Sequence, residues 1–247
     1  MTTAGFLIAV AFTAALSAMF GMAGGLVLMG VLAALYPVSA AMVTHGVVQS
    51  VSNGWRGALL RRWVIWRAVG LFVIGSVLAA GGLALVSVIL PKAWLFVALG
   101  LVPFLVWLPK DRFALDARRT ADGLAGGVLV TGLNVVAGVS GPLLDVFFQQ
   151  VETDRRAIVA TKAVCQVFSH AVKIANYAGP ALSLAGGLEG GPPLWALALA
   201  VPVSILGTTL GARLLDQMSD ANFRRWTKWI VTAIGLVYLA RGIALLV

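Results

Sequence analysis

The sequence predicts an all-α polytopic membrane protein made of two inverted-topology repeats. Each repeat is expected to hold a short broken-helix hairpin plus three full transmembrane helices. Three observations carry this expectation. Of 247 residues, 60% are hydrophobic and only 11% charged, with a mean hydropathy of +0.98, where ordinary soluble chains carry about 25% charged residues. Apolar runs near the length of a membrane span recur along the whole chain, without the period-two alternation of a β-barrel. And one polar-striped stretch occurs twice.

The first copy is Thr44–Arg56, THGVVQSVSNGWR. His45, Gln49, Ser52, Asn53 and Arg56 are spaced to share one face of an α-helix. The second copy is Thr161–Lys173, TKAVCQVFSHAVK. Moving 117 positions along, without a gap, places Thr161 on Thr44, Gln166 on Gln49, Ser169 on Ser52 and Lys173 on Arg56. The same offset places Lys162 on His45 and His170 on Asn53.

The elements follow in order. Residues 5–20 and 26–36 are apolar segments around Gly21-Met-Ala-Gly24-Gly25. Neither has the roughly 20 residues of a comfortable span, so they read as a hairpin or broken helix. Pro37 begins a turn into the first striped helix, 40–60. Segments 68–90 and 93–108 follow, separated by Pro91-Lys92. The most hydrophilic stretch, 109–122, carries Lys110, Arg112, Arg118 and Arg119 and divides residues 1–108 from 123–247. The second half repeats the plan. Segments 124–136 and 143–151 flank Gly138-Val-Ser140-Gly141-Pro142, the second striped helix spans 157–177, and segments 194–215 and 226–247 end the chain.

Basic residues hold loops on the cytoplasmic side. The basic loops are 56–67, 110–119, 155–156 and 213–228, whereas 36–40 and 179–193 have none. The first striped helix is then expected to run outside to inside and the second inside to outside, with both termini outside. The net charge of +9 is thereby read as topology, not as a nucleic-acid surface. The N-terminal segment has no basic n-region and is read as mature structure. Cys165 is the single cysteine, which rules out an intrachain disulfide and argues against a cysteine metal site. P-loop and HExxH motifs are missing, so neither an ATPase nor a zinc hydrolase is expected, and no cofactor is implied.

The chain resembles the sulfite exporter TauE/SafE family of membrane transporters. Carrying the resemblance are the run Gly21–Gly25, its counterpart Gly138–Pro142, the striped helix after each, the pair Gly207 and Gly211, the overall length and the basic central loop. The resemblance implies a multi-pass protein of the cell (inner) membrane that moves small anions such as sulfite, sulfonates or other organosulfur acids. Inverted repeats commonly bind substrate near the midplane, where helices are broken.

A small sulfur oxyanion needs N–H and O–H donors, positive potential and no carboxylate close by. Candidate donors are Gln49, Gln166, Ser52, Ser169, Asn53 and His170, with Thr44 and Thr161 on the same stripes. The breaks at Gly24, Gly25, Ser140 and Gly141 would add backbone N–H groups at helix starts. Arg56 and Lys173 are expected at opposite mouths, drawing anions in. His45 and Asp145 are candidates for proton coupling. Asp145 has Leu28 at its repeat position, and ion pairing with Lys162 or Arg155 is its alternative role. Rival readings are a passive anion channel, a carrier of small carboxylates, an intramembrane enzyme and a structural subunit.

Overall fold

The computed structural model describes residues 2–20, 22–85, 89–108, 115–148, 150–151, 153–182, 187–215 and 220–247. Gly21, Lys110 and Arg112 lie outside them. Ten α-helices and no strand are found among the described residues: α1 Thr3–Phe20, α2 Met22–Leu35, α3 Val38–Leu59, α4 Trp66–Ala84, α5 Lys92–Leu101, α6 Thr120–Ala137, α7 Gly141–Phe147, α8 Arg155–Ala181, α9 Leu194–Leu215 and α10 Asp220–Ala244. A 3-10 segment, Val102–Trp107, continues α5. Four of these helices (α4, α6, α8 and α9) are long and apolar enough to cross a membrane. Helix α3 has the length, 22 residues or about 33 Å, but its polar stripe takes away the apolarity. The chain is an all-α polytopic membrane protein.

Both expected hairpins form, with longer first arms than the apolar runs imply. Helices α1 and α6 each hold 18 residues, about 27 Å. Helix α2 folds back on α1 because Gly24 has no side chain: a Cβ there would collide with the Thr13 carbonyl and Ser17. Helix α7 returns beside α6, where the Phe147 ring lies 3.3 Å from a Cβ built on Gly126. The two breaks differ. Within the expected glycine turn, Met22 to Gly25 form the first turn of α2, and Gly21 lies outside the described residues. Gly24 serves packing, since its bare backbone lies against Thr13 and Ser17 of α1. The second break has a left-handed glycine at its start. Gly138 caps α6 at φ +77°, its N–H bonded to the Asn134 carbonyl, which is the left-handed cap that favours glycine. Pro142 then sits in the first turn of α7.

Helices α3 and α8 pack side by side at the centre. Gly46 meets Ile174 and Gly57 meets Val164, so the two run antiparallel. Helix α9 lies parallel to α1, with Gly207 against Ala11 and Ala14 and Gly211 against Ala15 and Ala18. Helix α6 lies parallel to α4, with Gly127 against Gly75 and a Ser76–Thr131 hydroxyl pair at 2.8 Å. Helices α5 and α10 pair antiparallel through Gly100 and Gly235. Such small-residue contacts supply the close backbone approach that replaces hydrophobic driving force in lipid. Ile74, Leu78, Leu206, Leu210 and Val237 stay exposed on the outer faces. Outside the bundle, Arg118 hydrogen-bonds the Asp116 carboxylate at 2.7 Å and holds it below the usual carboxylate range.

This packing makes a stability prediction. A Cβ at Gly211 would lie 2.8 Å from the Ala18 Cβ and closer still to a backbone carbonyl, whereas a Cβ at Gly70 meets nothing within 4 Å. Gly211→Leu is expected to destabilise the protein by about 1–3 kcal/mol, the usual cost of overpacking. Gly70→Leu should leave the unfolding temperature in detergent nearly unchanged.

Candidate functional site

The α3–α8 pair and the two helix breaks line a shared, partly open cavity. Helix α3 contributes His45, Gln49 and Asn53, helix α8 contributes Gln166 and His170, and the breaks contribute Gly25, Ser140 and Gly141. Eight of the residues singled out from the sequence therefore share one cavity. Leu26, Val139 and Pro142 complete its lining, and no acidic residue is among them.

The α3 side of the cavity is rich in unused donors. Gln49 and Asn53 are 5% and 2% exposed, yet Gln49 Nε2 and Asn53 Nδ2 have no hydrogen-bond partner. A buried amide left so costs about 1–3 kcal/mol, so the position asks for an acceptor. A Cβ at Gly25 would sit 3.5 Å from the Gln49 amide oxygen, and the bare backbone of α2 lets that amide stand beside the break. On the α8 side, Asn134 of α6 donates from Nδ2 to Ser169 Oγ at 2.8 Å and to His170 Nδ1 at 3.2 Å. An acceptor at Nδ1 leaves the His170 proton on Nε2.

A buried chain of hydrogen bonds ties the two breaks together. His45 Nε2–H donates to the Gly25 carbonyl at 2.9 Å. A carbonyl only accepts, so His45 Nδ1 carries the lone pair and receives Lys173 Nζ at 2.7 Å. Lys173 Nζ also donates to the Gly138 carbonyl at 2.8 Å. Lys173 is completely buried, and no carboxylate is among its partners.

That placement corrects the expectation for Lys173, which is no mouth residue. Helix α8 continues eight residues beyond it, to Ala181, and buries it against the second break. Arg56, its repeat counterpart, has only three helical residues beyond it. Other expectations also move. Ser52 bonds Thr208 of α9 at 2.7 Å and Ser169 accepts from Asn134, so both hydroxyls hold neighbouring helices and stay out of the lining. Thr161 donates to Ala157 and accepts from the Ile65 N–H, fixing the start of α4. Thr44 is fully buried with an unpartnered hydroxyl and lies off the cavity. Gly24 faces α1. Asp145 pairs with Lys162.

Asn134 is the main residue that sequence reasoning passed over. The signal existed: it is an amide within the apolar segment 124–136, and its repeat position is Ser17, another buried polar group.

A family profile described as Sulfite exporter TauE/SafE matches residues 6–238. A probable inner membrane transporter protein, TsaS of Comamonas testosteroni, is 30% identical over 184 residues, covering 73% of this chain and 74% of the relative. No solved structure matches the chain. Helices apolar enough to span a bilayer and a profile match over nearly the whole length lead to one conclusion: the chain belongs to the sulfite exporter TauE/SafE family of membrane transporters.

Proposed function

We propose that the protein carries small sulfur oxyanions (sulfite, sulfonates or related organosulfur acids) across the inner membrane by alternating access. The observation that carries this reading is the central cavity with buried, unpartnered N–H donors at Gln49 and Asn53 and no acidic lining. Donors of this kind replace the water of a small anion. Lys173, held one residue behind the cavity by His45, supplies positive potential without a competing carboxylate.

The reading includes two inverted repeats, 1–108 and 123–247, joined by the cytoplasmic linker 109–122. Helix starts support it: α1 and α6 begin 117 residues apart, as do α3 and α8, while α4 and α9, and α5 and α10, begin 128 apart. Exchanging the halves turns the α1–α9 contact into α6–α4 and leaves α3–α8 and α5–α10 paired with themselves. The antiparallel course of α3 and α8 agrees with the topology counted from basic loops. Where transport is proton-coupled, His45 is the coupling residue, since it stands between the cavity and Lys173 whereas Asp145 is engaged by Lys162.

The test is calorimetric binding of sulfite, methanesulfonate, thiosulfate and acetate to purified protein. Gln49→Ala and Gln166→Ala are each expected to weaken binding of the preferred anion about tenfold, the loss of one charge-assisted hydrogen bond. Both variants should unfold at the wild-type temperature. Wild-type affinity in both would reject the site, and a preference for acetate would redirect it to carboxylates. Accumulation against a gradient in proteoliposomes separates a carrier from a channel.

A further inference from the structure

Arg56 lies outside the central cavity, and its chemistry is unspent. Two of its guanidinium atoms, Nε and Nη2, are buried without a hydrogen-bond partner. They are the two atoms of one guanidinium edge, whose N–H bonds point the same way. That edge is the fork that grips two oxygens of a single anion in parallel. A fork turned into the protein faces neither bulk water nor lipid head groups.

Among the described residues, no carboxylate pairs with Arg56. Lys162 of α8 is close enough to Arg56 to repel it, and Lys162 already holds the Asp145 carboxylate. Of these two cations, Lys162 has a carboxylate partner and Arg56 has none among the described residues. On α3 the unpartnered donors form a row: Gln49 Nε2, Asn53 Nδ2 one turn on, and Arg56 Nε and Nη2 a further turn on. The row leads from the central cavity toward the end of α3 that carries Arg61 and Arg62.

We infer that the inward edge of Arg56 is a second oxyanion subsite, taking a sulfonate-type group by two parallel N–H···O bonds on its way between the central cavity and the basic end of α3. This rests on the anion-transport reading above. A group with two or more oxygens suits the fork, and a halide meets only one point of it.

The test is isothermal titration of purified full-length protein in detergent with methanesulfonate, repeated with bromide. Wild-type protein is expected to bind two methanesulfonates per chain, and bromide should fail to fill the second position. Arg56→Lys keeps the charge and the fold but loses the fork. It should weaken one of the two sites about tenfold or more, as one of two charge-assisted bonds is lost, and leave the other within a factor of about three. Gln49→Ala should do the reverse. A single site in the wild type that Arg56→Lys leaves untouched would overturn the subsite while the central reading stands. Two sites that both survive Arg56→Lys would overturn it equally. A wild-type protein that binds neither methanesulfonate nor sulfite would remove the anion reading and this inference with it.

Discussion

Lys173→Met is expected to cost about a hundredfold in anion affinity while leaving the unfolding temperature unchanged or higher. The reason lies in which energies win. Lys173 is fully buried between α8, α3 and the second helix break, with a carbonyl and an imidazole as its partners. Burying an unpaired ammonium costs several kcal/mol even after relaxation. Interhelical hydrogen bonds in membranes return less, about 0.6 kcal/mol each on average. Methionine has nearly the same length and no charge, so it removes the larger penalty along with the smaller gain. The anion, however, loses a buried cation beside its cavity, and a hundredfold corresponds to about 2.7 kcal/mol. A protein that tightens as it stops binding is the signature of a charge kept for function. Calorimetry and thermal unfolding on the same preparation read both quantities. Retained affinity would show that Lys173 only braces the breaks, and so would a lower unfolding temperature accompanying the loss.

Much of this arrangement is legible in the sequence, and the boundary of legibility has physical causes. Periodicity names the stripe, because a helix projects residues 45, 49, 52, 53 and 56 to one side whatever surrounds it. Duplication names the partner helix, and loop charge gives the pair its opposed directions. What periodicity cannot give is depth. Arg56 and Lys173 align, yet α8 extends eight residues past its cation and α3 only three, so one lysine is sealed in and one arginine sits near an end. Nor can periodicity resolve a stripe into its two flanks. Ser52 and Gln49 share a face in the helical wheel, but a small rotation sends Ser52 to Thr208 of α9 and Gln49 to the cavity. The glycine runs show a third limit. Gly138 must adopt a positive φ and breaks the chain, while Gly24 is small so that α2 can lie on α1. Composition gives both runs the same appearance.

Asp145→Asn is expected to destabilise the protein by about 1–3 kcal/mol, and adding Lys162→Met should restore most of the loss. The carboxylate on α7 pairs with Lys162 on α8, and their side chains are 31% and 25% exposed. A fully buried pair that loses one partner costs about 3–5 kcal/mol, and partial exposure screens this one. Removing Asp145 leaves Lys162 without its carboxylate partner and still repelled by Arg56. Removing both members of the pair leaves Arg56 alone, which is the arrangement the oxyanion subsite requires. The double variant therefore separates the two roles open to Asp145. If the residue is an ion-pair partner, uptake into proteoliposomes by the double variant should return toward wild type and keep its response to an imposed pH gradient. If it carries the proton, stability will recover while the pH response stays lost. The repeat position argues for the first outcome. Leu28 is completely buried and apolar, so the shared scaffold has no carboxylate at this point, and the acid answers a local need created by Lys162, whose own counterpart is His45.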